Sequence, residues 1–226
     1  MFNLSWGILF MLAQFALFLL SYRLFGKKGL YAWIGFATVL ANIQVTKTIE
    51  MLGIVMTLGN TIYTSIYMST DLLNEKYGAE AARKAVWFGF FSLLASTAIM
   101  QMTLAFQPAE SDFAQESLKT IFGLMPQIAA GSLCAYFVSQ FLDVRVFSYL
   151  KRRFPVRNQF WIRINGSTLL SQLVDSLVFC TIAFYGVYTL DVWLQIFATT
   201  YLFKLLISIA GTPVLYWARS FSVKED

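Results

Sequence analysis

Seven runs of the chain, at about 4–24, 29–49, 54–73, 84–106, 121–144, 161–185 and 192–217, are apolar over the length needed to cross a bilayer. A hydrocarbon core about 30 Å thick takes roughly 20 apolar residues at 1.5 Å rise each, so each run reads as one membrane helix. Only connections are left over, among them a brief turn around Gly53 between the second and third runs. Composition agrees: 13% of residues are charged and the mean hydropathy is +0.63, whereas about a quarter of a soluble domain is charged. The expected fold is all-α and polytopic, a single integral membrane domain over residues 1–226 with about seven transmembrane helices.

Charge sets the orientation. Of the 17 Lys and Arg residues, 14 fall on one side of such a bundle: beside Arg23, around Lys76 and Arg83, through Arg145–Arg163, and at Arg219 and Lys224 after the last run. That side is cytoplasmic by the positive-inside rule, with the N-terminus outside and the C-terminus inside. The net charge of +5 is thereby a matter of topology and does not point to nucleic acid. Residues 1–20 carry no basic n-region, which argues against a cleaved signal peptide.

The absence of His rules out imidazole haem ligation, a His relay and Ser-His chemistry. Cys134 and Cys180 lie inside apolar runs and read as buried thiols, not as a disulfide framework or metal site. No cofactor or metal is expected.

Asp175 and Lys204 are the most informative polar residues. They sit about fourteen and fifteen residues either side of a turn centred near Thr189, which puts both some 20 Å below it, close to the midplane. A lone charge there costs about 2.5–3.5 kcal/mol, so the two are expected to meet. Thr168, Ser171, Gln172 and Asp175 follow the i, i+3, i+4, i+7 pattern and form a polar stripe with Asn165 and Ser167. The stripe fits a ligand route, and the alternative is a structural ion pair that fixes helix register.

Elsewhere, Asn42, Gln44 and Lys47 lie in the outer half of the second run, with Lys47 either facing inward or snorkelling to the surface. Asp71 and Glu75, one turn apart, and Gln140 and Asp143 fall near the cytoplasmic boundary as a gating or end network. Pairing of the first two with Arg83, Lys84 or the basic connection beyond, and of Asp143 with Arg145 or a neighbouring Arg, is the interfacial alternative. Tyr63, Tyr67 and Phe184 are candidates to stack on a flat ligand; Tyr185, Tyr188 and Trp193, with Tyr216 and Trp217, fit interfacial belts.

Two sets of residues carry a resemblance. Ala41-Asn42 and Lys47 with Asp71, Glu75-Lys76-Tyr77-Gly78 and Ala82-Arg83 form one; Ser139-Gln140, Asp143-Val144, Phe147, Ser167-Thr168, Ser171-Gln172, Asp175, Lys204 and Pro213 form the other. Over residues 38–217 the chain resembles the queuosine precursor transporters, a vitamin uptake type of family. Tyr63-Thr64 stands where members tend to have Phe-Pro, and the first run precedes the usual six-helix core.

The resemblance implies a multi-pass importer in the plasma membrane of a prokaryote, carrying 7-deazaguanine bases such as 7-cyano-7-deazaguanine, 7-aminomethyl-7-deazaguanine or queuine. It also implies a fold akin to the substrate-binding subunits of energy-coupling-factor transporters. A carboxylate accepts both adjacent donors of a guanine-type edge, which suits Asp175; Gln172, Asn42 or Gln44 then read the remaining edge, Ser171 lines the site, and Lys204 holds Asp175 ionised or meets the ring carbonyl. The partners implied are the base and the lipid bilayer, and a homo-oligomer is allowed. One alternative is a capture subunit of an ATP-driven complex, whose ATPase would be another chain, since no Walker motif occurs here. An intramembrane aspartyl enzyme fits less well, because Asp175 faces a Lys and lies in no Gly-x-Gly-Asp run.

Overall fold

A computed structural model describes residues 2–45, 47–51, 54–123, 126–184 and 189–221. The chain runs as α1 (Phe2–Gln44), β1 (Thr48–Met51), β2 (Ile54–Thr57), α2 (Gly59–Leu104), the short α3 (Gln115–Leu118), α4 (Pro126–Arg153), α5 (Phe160–Phe184) and α6 (Leu190–Ser220). Among the described residues, α1, α2, α5 and α6 are long and apolar enough to cross a membrane.

Two of these long elements are not straight rods. In α1 the backbone leaves helical geometry at Gly26 (φ 57°, ψ −136°), and in α2 at Gly78 (φ 84°, ψ 169°). Both are conformations in which a Cβ is penalised, so glycine sets the break. The chain doubles back at each. The Ser21 hydroxyl donates to the Gly29 carbonyl at 3.1 Å, although eight residues of straight helix would separate them by about 12 Å. Trp33 Nε1 donates to Ser65 Oγ (2.9 Å), while the Tyr31 ring, two residues earlier, lies 6.3 Å from that of Phe88. Ser65 and Phe88 are therefore brought together across Gly78. The basic residues Lys27, Lys28, Lys76 and Arg83 sit beside these two reversals.

The outer end of the second apolar run departs from expectation. The helix stops at Gln44, and Thr48–Met51 pairs antiparallel with Ile54–Thr57, Thr48 opposite Thr57 and Met51 opposite Ile54. Val, Ile and Thr crowd this stretch, and β-branched residues favour extended backbone over helix. Lys47 is consequently off the helix and exposed, and does not share a helical face with Gln44. Gly53, Tyr185, Tyr188, Lys224 and the Phe184 side chain lie outside the described residues.

Further corrections follow from packing. Cys180 is buried, but Cys134 is exposed. The fifth helix starts at Pro126, where a missing N–H costs nothing, and continues to Arg153, beyond the apolar run. Trp193 does not simply face outward: its Nε1 donates to the Cys180 carbonyl at 2.9 Å, tying α6 to α5. Principal packing is of α1 on α2 and of α4 on α5, with α2 also against α4, and α6 against α5 and α2. The apolar core centres on Phe18, Tyr22, Leu30, Ile34, Ile66, Leu72, Phe147 and Phe160.

Candidate functional site

Helical spacing stacks the polar groups of α2, α4 and α5 into layers. On α2 the series Tyr63, Tyr67, Asp71, Glu75 advances by four residues; on α5 Arg163, Ser167, Ser171, Asp175 does the same. The two helices run in opposite directions here, so Tyr63 meets Asp175, Asp71 meets Ser167, and Glu75 meets Arg163. Residues Ser139, Asp143 and Lys151 of α4 supply the third side.

The innermost layer holds the pair expected from the sequence. Lys204 Nζ lies 2.5 Å from Asp175 Oδ2, both side chains buried. Asp175 Oδ1 accepts from Tyr63 Oη (2.8 Å) and Ser139 Oγ (3.0 Å), and Tyr67 Oη donates to Ser139 Oγ (2.8 Å). The ammonium of Lys204 also sits 4.9 Å from the Tyr63 ring centroid, a favourable cation–π position. Tyr63 packs edge-on against Tyr67 and Tyr136, at 5.7 and 6.3 Å between centroids. One acid, one base, two hydroxyls and an aromatic face thus meet in apolar surroundings.

Beside them lies a row of polar atoms with no hydrogen-bond partner among the described residues. Both the nitrogen and the oxygen of the Gln172 amide are unpaired, as are Thr168 Oγ1, Ser176 Oγ and Gln140 Nε2. All four residues are buried. A buried unpaired polar group costs about 1–3 kcal/mol, so this group, three residues on one face of α5 and one on α4, marks a place that a polar ligand can occupy.

In the second layer Ser171 Oγ donates to Asp143 Oδ1 (2.8 Å) and Ser167 Oγ approaches Asp71 Oδ1 (3.5 Å). The two carboxyl groups are neighbours, set against hydroxyls one turn apart on the same face of α5. Asp143 therefore does not pair with Arg145. Gln140 accepts a long bond from Thr70 Oγ1 (3.4 Å).

The third layer, at the basic end, is built on Glu75. Its Oε1 is 2.7 Å from Arg163 Nη2 and 2.7 Å from Arg219 Nη2, and Lys151 Nζ is 3.9 Å from Oε2. Lys151 also donates to the Asn74 and Glu75 carbonyls, at 2.7 and 2.6 Å. Neither Arg83 nor Lys84 is the partner; Lys84 pairs with Glu80 on the surface (3.0 Å). One carboxylate so joins α2, α4, α5 and α6.

Asn42 and Gln44 stand apart from these layers. The Asn42 amide donates to the Thr38 carbonyl of its own helix (3.0 Å), Gln44 Oε1 is unpaired, and no hydrogen bond among the described residues links either to Asp175. Sequence reasoning missed Ser139 and Tyr136 as site residues, and gave Tyr63 only a stacking role. For Ser139 a signal existed: it lies one turn before Asp143 on the same face.

This is a polytopic helical membrane protein whose interior holds a buried acid–base pair flanked by unpaired amides and hydroxyls. Across its full length it is 52% identical to a "Probable queuosine precursor transporter" of Bacillus subtilis, covering 99% of that relative. A protein of the same description from Haemophilus influenzae is 33% identical over 157 residues, 68% of this chain and 63% of the relative. The "Queuosine precursor transporter" of Escherichia coli is 28% identical over 179 residues, 78% of each. The profile of the family described as "Putative vitamin uptake transporter" matches residues 57–218. The chain belongs to this family of transporters, multi-pass proteins of the prokaryotic plasma membrane and not enzymes. No solved structure matches it. The Bacillus relative aligns over the first helical segment too, so that segment is shared with it and is not peculiar to this chain.

Proposed function

We propose that the protein imports queuosine precursors, 7-deazaguanine bases, as one integral membrane domain of seven spans over residues 1–226. The reversals at Gly26 and Gly78 support that count, dividing α1 and α2 into two segments each. The cations clustered at those reversals, at the α4–α5 connection and at Arg219 support a cytoplasmic C-terminus and an outer N-terminus.

The base binds in the innermost layer. The observation that carries this reading is the buried Lys204–Asp175 pair, with the Tyr63 ring beneath the ammonium and the unpaired Gln172 amide on the same helix. Asp175 accepts the adjacent ring N–H and exocyclic amine, displacing the Tyr63 and Ser139 hydroxyls from Oδ1. Lys204 keeps the carboxylate charged and meets the ring carbonyl. Gln172 offers one donor and one acceptor to the remaining edge, Ser171 lines the site below it, and Tyr63 and Tyr67 supply aromatic surface. Asn42 and Gln44, at the end of α1 beside the start of α2, serve the route from outside. Glu75, with Asp71, Asp143 and Gln140, closes the cytoplasmic end until the base is released. The single chain suffices, without an ATPase partner.

The test is uptake in cells unable to make the precursor, each base being supplied in turn and queuosine in tRNA measured. Cells expressing the protein should recover queuosine, and the Asp175→Asn protein, present in the membrane in equal amount, should not. Recovery with the variant at the level of the unaltered protein would reject the site; no recovery with any base would reject the substrate class.

A further inference from the structure

The second layer presents a charge imbalance that base binding does not use. Asp71 and Asp143 are both buried, lie side by side against Ser167 and Ser171 of α5, and have one oxygen each, Oδ2, without a hydrogen-bond partner among the described residues. The buried cations of the neighbouring layers are engaged elsewhere. Lys204 is held by Asp175 in the layer above, and Arg163, Arg219 and Lys151 gather on Glu75 in the layer below. No Lys or Arg among the described residues forms an ion pair with Asp71 or Asp143. Of the other titratable groups, Tyr67 of α2 donates to Ser139, and Tyr22 of α1 is turned to Lys76 and Tyr77 at the basic end.

Two adjacent carboxylates with no counter-charge are untenable in a medium of low dielectric. They also cannot hydrogen-bond to one another unless a proton lies between them. Ser167 and Ser171 donate one hydroxyl to each acid, which is the environment of a shared proton.

We propose that the Asp71–Asp143 pair is a proton-binding site that couples inward proton movement to import of the base. This rests on the transport reading above. Each acid is one helical turn from a residue of the base site: Asp71 from Tyr67, Asp143 from Ser139, and Ser171, which bonds Asp143, from Asp175. A base that takes Asp175 Oδ1 releases Ser139 and through it Tyr67, which lie one turn from Asp143 and Asp71 on the same helices, so base binding is passed to the two acids through α4 and α2. The proton enters from the outer side, is held between the carboxyl oxygens, and leaves to the cytoplasm when the layers separate.

The test uses the full-length protein in proteoliposomes with labelled 7-cyano-7-deazaguanine. Accumulation should rise about tenfold for each unit of inward-directed pH gradient if one proton crosses per base, and should collapse with a protonophore. A lumenal pH dye should report acidification as base enters, a measurement on the unaltered protein that needs no variant. Asp143→Asn should lose gradient-driven accumulation, and base that does enter should no longer acidify the lumen. Accumulation indifferent to the pH gradient, accumulation driven by a sodium gradient instead, or undiminished gradient-driven accumulation by Asp143→Asn would each overturn the proposal. Unaltered protein that neither exchanges nor accumulates base would overturn the transport reading itself, and this proposal with it.

Discussion

The Asp175 layer and the Glu75 layer are built from the same four helices and yet are opposites. Asp175 is matched by one base, two hydroxyls and an aromatic ring, with unpaired amide atoms alongside. Glu75 is surrounded by three cations, and two of these also cap backbone carbonyls of Phe154, Asn74 and Glu75. A balanced cluster with unpaired neighbours can exchange partners with a ligand at little cost. An over-supplied cluster tied to backbone cannot, and acts as a fastening between helices. Both arise from one rule of spacing, four residues along α2 and α5, so what separates them is the residue types at each level and their distance from the basic end.

The sharpest division between the layers comes from Glu75→Gln. It leaves Arg163, Arg219 and Lys151 without their acid, and breaking a buried pair costs about 3–5 kcal/mol. Thermal unfolding in detergent should move down by several degrees or more, while the Kd for the base in the protein that remains folded stays within about twofold. A weakened Kd with unchanged stability would erase the distinction. Next is Gln172→Leu, which removes both unpaired amide atoms. Stability should hold or rise, since buried polar atoms without partners are lost, and affinity for the base should fall about tenfold, a buried hydrogen-bonding group being worth about 1–3 kcal/mol. Equal affinity measured by calorimetry would take Gln172 out of the site. Tyr63→Phe is the smallest. It keeps the ring under Lys204 and deletes only the bond to Asp175, worth about 1 kcal/mol. Uptake should fall a few-fold with the protein level in the membrane unchanged.

Much of this was legible in the chain itself, for reasons that differ by element. Apolar runs of bilayer length announce helices, and the stripe from Thr168 to Asp175 announces a buried polar face, because both are patterns within one segment. Asp175 and Lys204 were matched because the turn at Thr189 makes depth a matter of counting. The partners of Glu75 were not visible: Arg163 lies 88 residues away, and nothing local favours it over Arg83. Asp143 looked served by Arg145, yet residues two apart on a helix face different sides, and the acid turns to Ser171 instead. The hairpin at Thr48–Thr57 escaped because a short β-branched run has the hydropathy of a helix end.

Equilibrium binding of 7-cyano-7-deazaguanine to the purified protein and to Asp175→Asn tests the central claim most directly. The account predicts binding by the unaltered protein and a loss of at least about a hundredfold in the variant, which leaves Lys204 unpaired and one strong acceptor fewer for the base. Retention of the same Kd by a folded Asp175→Asn protein would contradict it.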